Sequence, residues 1–316
     1  MNLGKKQQIA LGIVVILGVT LGGWFVYTST IGTPCYGTEL FIDSLGRKVC
    51  VSAHPTRIVS IAPSITEILF AINVSDRVVG VTTYCNYPAE ASTKSKIGGF
   101  TTPDLEKIIS LDPDLILYAR NDSAKIETLE STGVPVVVIL ENTVDDILNN
   151  ILKIGNLVDA EQNATTLVNS LTTRMNAVVT KTQNIQPEKK LKCYYEAANT
   201  PTAAGALSFV DDLIKKAGGI NIFGGIQKSW AIVSHENVIA GNPDVIFWAP
   251  MASPTYNGKT NIIARAGYNV ITAVTNQTIY RGGDPYQRAG PRIIDALEEM
   301  AYNLENAACV IYKRCS

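Results

Sequence analysis

The pattern of apolar and polar positions along this chain has three distinct parts. Residues 9–27 form an uninterrupted apolar run, and residues 144–183 carry apolar side chains at helical spacing. Elsewhere short apolar stretches alternate with amphipathic ones, which is typical of parallel sheets covered by helices. The pattern predicts an α/β protein with a membrane-length segment at its start and a helical segment in its middle.

Two segments on either side of the helical middle repeat one pattern. Residues 105–119 (LEKIISLDPDLILYA) align without a gap to residues 235–249 (HENVIAGNPDVIFWA). Each reads as a short helix with a glutamate in its first turn, Glu106 or Glu236, followed by a Pro-Asp turn and an apolar strand. A spacing of about 130 residues is far longer than a solenoid period, so the repeat predicts two similar lobes.

Residues 144–183 connect these two copies and are expected to form two helices. Thr143 begins the first helix with a capping-box pattern, and we expect this helix to end near Val158. The second should run from about Ala160 to Lys181 and span on the order of 30 Å, enough to cross from one lobe to the other. A helical connector bends less easily than a loop, which predicts small hinge movements.

The same periodicities divide the chain into five parts. These are a cytoplasmic tip with the membrane-length run (1–31), a β-hairpin (32–53), an N-terminal lobe (54–143), the bridging helices (144–183) and a C-terminal lobe (184–316). In the N-terminal lobe, Ser64 and Glu67 have the spacing of a capping box, so Glu67 is expected to act locally at the start of its helix.

The apolar run at residues 9–27 has the length of a bilayer-spanning helix. It carries no charge and follows Lys5 and Lys6, which places the N-terminus in the cytoplasm and the rest of the chain outside. A cleaved signal peptide is the alternative, but the run is long for one and no A-x-A-like cleavage site follows. We therefore expect a single-pass anchor in the cell membrane and an extracytoplasmic body.

Composition and charge exclude several functions. The net charge is −1 and no Lys/Arg cluster lies beyond the first residues, which argues against a nucleic-acid partner. The chain has only two histidines, His54 and His235, and lacks a GxGxxG motif, so neither a histidine metal site nor a Ser-His-Asp triad is expected. We predict a binding protein rather than an enzyme, with no resident metal or cofactor.

The six cysteines stand at no zinc-like spacing. Cys35 and Cys50 flank the predicted hairpin, and Cys309 and Cys315 lie close together, so one or two disulfides are possible in an oxidising compartment. Free buried thiols are an equally good interpretation for these four. They are the better one for the remaining two, Cys85 and Cys193.

Several aromatic and charged residues fall in loops beyond the carboxyl ends of the predicted strands, where open α/β sheets bind ligands. They are Tyr84, Tyr87, Phe100, Trp230, Tyr256, Asp284 and Tyr286. Flat apolar faces suit a large ring-shaped or chelate ligand, and Arg281 and Arg288 are candidates to meet its anionic groups. For Tyr87 and Tyr256, packing of the loops is an equally good explanation.

Five segments together resemble ABC-importer solute-binding proteins of the iron-siderophore and cobalamin class. They are TRIVSIAPSITEILFAI, VVGVTTYCNYP, GGFTTPDLEKIISLDPDLIL, SFVDDLIKKAGGINIF and AGPRIIDAL, and the resemblance covers about residues 54–306 in the family's order. It implies two Rossmann-like lobes with parallel sheets joined by a long rigid helix. It also implies a ligand clamped between the lobes and delivery to an ABC permease dimer with its ATPase.

The resemblance assigns expected roles to individual residues. Glutamates on the two lobes of the family engage permease arginines, and Glu106 and Glu236 occupy the matching positions, although an acid there also complements the helix dipole. The pattern is closest to the cobalamin-binding branch. Positions that contact the corrinoid in that branch are filled here by Tyr84, Phe100, Trp230 and Asp284, with Phe100 in place of a tryptophan.

We therefore expect a monomeric receptor that captures a metal chelate, with cobalamin or another corrinoid preferred. A ferric siderophore or haem is the alternative ligand. A more distant alternative is an extracytoplasmic enzyme or chelatase that acts on a tetrapyrrole, and a third is a surface or sensor protein without a small-molecule ligand.

Overall fold

The computed structural model describes the backbone of residues 13–20 and 23–30, and residues 35, 38–198, 201–249 and 258–313 with their side chains. The first elements are two antiparallel hairpins: β1 (Ile13–Thr20) with β2 (Gly23–Thr30), and β3 (Glu39–Ile42) with β4 (Lys48–Val51).

Strands β1 and β2 stand where the sequence predicts a membrane-spanning helix over residues 9–27, and that prediction is wrong for the described part of the run. Valine, isoleucine, threonine and aromatic residues make up most of these strands and favour extended backbone. Across the described residues, no helix combines the length and apolar character needed to cross a membrane.

The cysteines follow the sequence-based expectations where they can be compared. A disulfide joins Cys35 to Cys50, and Cys85 and Cys193 are buried free thiols. Cys309 is also disulfide-bonded, while its predicted partner Cys315 lies outside the described residues.

The N-terminal lobe is a five-stranded parallel sheet in the order β7-β6-β5-β8-β9 with helices around it. Its elements are β5 (Ile58–Ile61), α1 (Pro63–Ala71), β6 (Val78–Val81), β7 (Ser95–Lys96), α2 (Leu105–Ser110), β8 (Leu115–Tyr118), α3 (Ser123–Glu130) and β9 (Val136–Val138). Every residue of β5, β8 and β9 is buried, which explains their continuous apolar runs.

Two helices form the bridge, as the sequence predicts: α4 (Val144–Leu157) and α5 (Glu161–Thr182). Helix α4 begins with the expected capping box at Thr143. The 22 residues of α5 span about 33 Å. At its start, Asn163 donates a hydrogen bond to the carbonyl of Ile72 in the N-terminal lobe, and at its end, Thr182 donates to the carbonyl of Lys216 in the C-terminal lobe.

The C-terminal lobe has a six-stranded sheet in the order β13-β11-β10-β14-β15, with β12 also paired to β10. Its elements are β10 (Lys192–Glu196), β11 (Thr202–Ala204), α6 (Phe209–Lys216), β12 (Ile220–Asn221), β13 (Trp230–Ile232), α7 (His235–Gly241), β14 (Val245–Trp248), α8 (Gly258–Ile263), α9 (Thr272–Thr275), β15 (Ile279–Arg281) and α10 (Ile293–Tyr312). Strands β11 and β13 pair antiparallel, so the expected wholly parallel sheet is found only in part.

The sequence repeat corresponds to a structural repeat. The carboxylate of Asp114 accepts the backbone N–H of Arg57 just before β5, and the carboxylate of Asp244 accepts that of Lys192 at the start of β10. Each aspartate also donates its own N–H to the carbonyl of the same partner. The Pro-Asp turn therefore fixes the register of β8 beside β5, and of β14 beside β10, in the same way.

The two lobes meet at Glu67 of helix α1. Its side chain is almost completely buried and accepts hydrogen bonds from Arg288 at 3.1 Å and from Arg292 at 2.6 and 2.9 Å, both in the other lobe. The guanidinium of Arg292 also lies 3.8 Å from the ring centre of Tyr87. The predicted capping box with Ser64 is absent, because α1 begins without a side-chain cap and Glu67 is engaged across the lobe interface.

We expect Glu67→Ala to lower the free energy of unfolding by about 3 kcal/mol, since it leaves two largely buried guanidinium groups without their carboxylate. Urea denaturation at neutral pH measures the change. Glu130→Ala is the matched control, because Glu130 pairs with Arg47 at a partly exposed site and should cost less than about 1 kcal/mol. Equal losses in the two variants would contradict the prediction.

Candidate ligand-binding cleft

A cavity of about 540 Å³ lies between the two lobes. Its N-terminal wall follows the carboxyl ends of the parallel strands and consists of Ala62, Pro63, Ser64, Tyr84, Phe100, Thr101, Ala119 and Glu141. The C-terminal wall consists of Phe209, Trp230, Gln287, Arg288 and Ala289. The location is the one at which open α/β sheets bind ligands, and the volume is typical of small-molecule sites.

Three of the predicted aromatic contacts line this cavity. Tyr84 and Trp230 reach it from opposite lobes with 63% and 41% of their surface exposed. Phe100 is partly buried, and the guanidinium of Arg120 lies 5.0 Å from the centre of its ring. Exposed rings in the two walls of a cavity offer flat apolar surface to a ligand.

Arg288 lines the cavity but is already paired. It donates to the carboxylate of Glu67, lies 3.4 Å from that of Asp284, and donates to the carbonyl of Tyr84. Two carboxylates share the charge of Arg288, so its contact with an anionic ligand group stays a prediction in which the ligand competes with Glu67 and Asp284.

Of the other predicted contacts, Tyr286, Asp284 and Arg281 are described and are not part of the cavity wall. Tyr286 is fully buried, stacks on Phe247 and accepts a hydrogen bond from Tyr195 at its carbonyl, so it belongs to the core. Asp284 opens the same short turn but is half exposed and pairs with Arg288. Arg281 ends β15 with its guanidinium 5.8 Å from the ring of Trp248. Tyr256 lies outside the described residues.

Glu141 is a cavity residue that the sequence analysis missed. It follows the apolar run that ends β9, and no group in the described part of the chain hydrogen-bonds to its carboxyl. Burial, together with the nearby carboxylate of Asp146, raises the pKa of Glu141 from 4.5 to about 8. An acid placed directly after a buried strand was the available signal, by the same rule that selected the aromatic loops.

The two candidate docking glutamates lie at equivalent surface positions. Glu106 is the second residue of α2 and Glu236 the second residue of α7, and both are exposed. Each helix leads into a corresponding strand, β8 or β14. Hydrogen bonds from its own backbone N–H and from Ser234 hold the pKa of Glu236 below its usual value, so this carboxylate is charged at neutral pH.

The histidines and acids form no metal site in the described ranges. No group of three or more His, Cys, Asp or Glu side chains there is placed to hold a metal ion. His54 contacts Asp159, and His235 contacts Tyr268, so both histidines are engaged away from the cavity.

Known proteins match this chain over most of its length. The ABC transporter substrate-binding lipoprotein YvrC of Bacillus subtilis is 28% identical over 270 residues, which are 83% of this chain and 84% of that protein. The crystal structure of the periplasmic vitamin B12 binding protein BtuF of Vibrio cholerae is similar with a TM-score of 0.70 and 25% identity, and it covers 80% of this chain and 98% of its own.

A second solved structure is comparably similar. The periplasmic heme-binding protein RhuT from Roseiflexus sp. RS-1 has a TM-score of 0.71 and 26% identity, with the same 80% and 98% coverage. Residues 58–286 match the family model described as periplasmic binding protein, which confirms the family predicted from the sequence motifs. This chain therefore belongs to the periplasmic binding protein family.

Proposed function

We propose that this protein is the solute-binding subunit of an ABC importer and that its cleft captures a metal chelate, with cobalamin or another corrinoid preferred. The observation that carries the proposal is the pair of exposed rings, Tyr84 and Trp230, that face one cavity from opposite lobes. A flat macrocycle held between them would bury both rings at once. The vitamin B12-binding relative supports a corrinoid, and the heme-binding relative supports haem or a ferric siderophore as the alternative.

Binding without turnover fits the chemistry of the cleft. The described cavity wall carries three hydroxyl groups, on Ser64, Tyr84 and Thr101. Both histidines, which could activate such a group, contact other residues away from the cavity. A nucleophile needs an adjacent base to be activated. These observations support a receptor over an enzyme or chelatase that acts on a tetrapyrrole.

Delivery to the permease would use the glutamate on each lobe. Glu106 and Glu236 are exposed acids at corresponding positions of the structural repeat, so a permease dimer can meet them with one basic group from each half. The ATPase of the importer would then drive release. In this arrangement one monomer of the receptor serves one permease dimer.

The body of the protein would act outside the cytoplasm. The disulfide between Cys35 and Cys50 is of a kind that persists in oxidising compartments. The lipoprotein relative supports attachment of the body to a membrane.

We expect Trp230→Ala and Tyr84→Ala each to weaken binding of cyanocobalamin by about 10- to 100-fold, because truncation removes a ring that the ligand would bury. Isothermal titration calorimetry measures this affinity. Tyr302→Ala removes an equally exposed ring on α10, outside the cleft, and should leave the affinity unchanged. Wild-type protein that saturates with haem or a ferric siderophore but not with cyanocobalamin would move the assignment to the alternative ligand.

We expect Glu106→Ala with Glu236→Ala to abolish uptake while leaving ligand affinity intact, since both residues lie outside the cavity wall. Uptake of labelled ligand by cells or by vesicles that contain the permease measures the first effect, and calorimetry the second. Glu188→Ala, which removes another exposed acid, is the control and should transport normally. Loss of affinity in the double variant would show that these glutamates do not act in docking.

A further inference from the structure

The two charged side chains in the described cleft wall, Arg288 and Glu141, differ in whether other charged side chains pair with them. Among the described lining residues only Glu141 and Arg288 carry ionisable acidic or basic groups, and Arg288 belongs to a cluster with Arg292, Glu67 and Asp284. Two cations and two anions in that cluster give no net charge. An anionic ligand group therefore gains little attraction from Arg288 unless it displaces a carboxylate.

Glu141 lacks such compensation. No described group hydrogen-bonds to its carboxyl, and the carboxylate of Asp146 repels a negative charge there. Asp146 itself accepts the backbone N–H groups of Asn142 and Thr143. Besides Arg288, the described polar lining residues that accompany Glu141 carry hydroxyl or amide groups: Ser64, Tyr84, Thr101 and Gln287.

The other charged groups near the start of α4 are paired with one another. Asp145 lies 2.9 Å from Lys216, and Asp212 lies 3.7 Å from the same ammonium group. Asp212 also accepts the backbone N–H of Val144. Across the cavity, the carboxylates of Glu67 and Asp284 share the charge of Arg288. The carboxyl of Glu141 is thus the uncompensated acidic group that a ligand in the cleft meets.

We propose that Glu141, once ionised, makes the cleft selective for chelates whose buried edge carries neutral amides, and against chelates that place a carboxylate there. The inference deepens the proposed function and rests on it. Corrinoids carry amides around their rim, whereas haem carries two carboxylates. A neutral carboxyl can donate its proton to either group, but an ionised Glu141 repels a second carboxylate inside an apolar cavity.

The selectivity should depend on pH in a defined direction. Because the pKa of Glu141 is about 8, the group is mostly protonated at pH 6 and mostly ionised at pH 9. Below about pH 8 it acts as a donor to amide and carboxylate alike. Above that pH a bound carboxylate must either face a like charge or take up a proton, which costs about tenfold in affinity for each pH unit.

The test uses the full chain, cyanocobalamin and its isomeric monocarboxylates, in each of which one peripheral amide is hydrolysed. Calorimetric titrations at pH 6 and pH 9 give the ratio of the affinity for cyanocobalamin to the affinity for each monocarboxylate. We expect at least one isomer to bind within about threefold of cyanocobalamin at pH 6 and at least about tenfold more weakly at pH 9. Glu141→Gln keeps the shape and a donor, and should remove this pH dependence. Asp145→Asn, which neutralises an acid four positions along the chain, should retain it.

Each other outcome decides a different question. Corrinoid binding with a pH-independent ratio, or a ratio that persists in Glu141→Gln, overturns the role of Glu141 and leaves the proposed function standing. Haem that binds more tightly than every corrinoid at pH 9 overturns both the selectivity and the preferred ligand, but not the importer class. Protein that is folded and binds no chelate at either pH overturns the proposed function together with the inference.

Discussion

The buried carboxylate of Glu67 fixes how the two lobes face each other, and the shape of the cleft depends on it. Glu67 binds Arg288 and Arg292 from the opposite lobe, while Tyr87 supports Arg292 from the other side. Arg288 also forms part of the cavity wall, so one interaction sets both the separation of the lobes and the charge inside the cleft. Helix α5 and a hydrophobic core that continues from one lobe into the other reinforce this arrangement. The ion pairs of Glu67, the shared core and the helical connection therefore all hold the two lobes in the same relative position.

The parts of the fold that local patterns encode could be predicted from the sequence. Helical periodicity located α4 and α5, and the Pro-Asp turns located the repeat, because each signal lies within a few residues of the structure it specifies. Tyr84 lies in a loop after a parallel strand, where the rule for ligand sites predicts it, whereas Trp230 lines the cavity as the first residue of the antiparallel strand β13. Glu67 was misassigned because its spacing from Ser64 satisfies a helix cap, whereas its partner Arg288 lies 221 residues away in sequence. Composition and spacing contain no signal for such a distant pair.

The remaining errors have physical causes of the same kind. The length of the apolar run at residues 9–27 favoured a helix, but its β-branched and aromatic residues also suit the strands β1 and β2. Tyr286 and Asp284 are two residues apart, and the single tight turn that holds them directs the aromatic ring into the core and leaves the carboxylate half exposed. The antiparallel pairing of β11 and β13 depends on their partners across the sheet, which their own short sequences do not specify.

The close packing of the helices at Gly155 bears on how a transporter could recognise this receptor. A side chain at this position would collide with Ala164, because α4 and α5 pack closely where the chain turns between them. The turn between helices α4 and α5 is thus closely packed and acts as a stiff joint. A receptor with a stiff joint presents nearly the same outline whether loaded or empty. In the proposed importer, recognition of the loaded form would then depend on the cargo that fills the mouth of the cleft, so part of the signal for transport would come from the surface of the cargo.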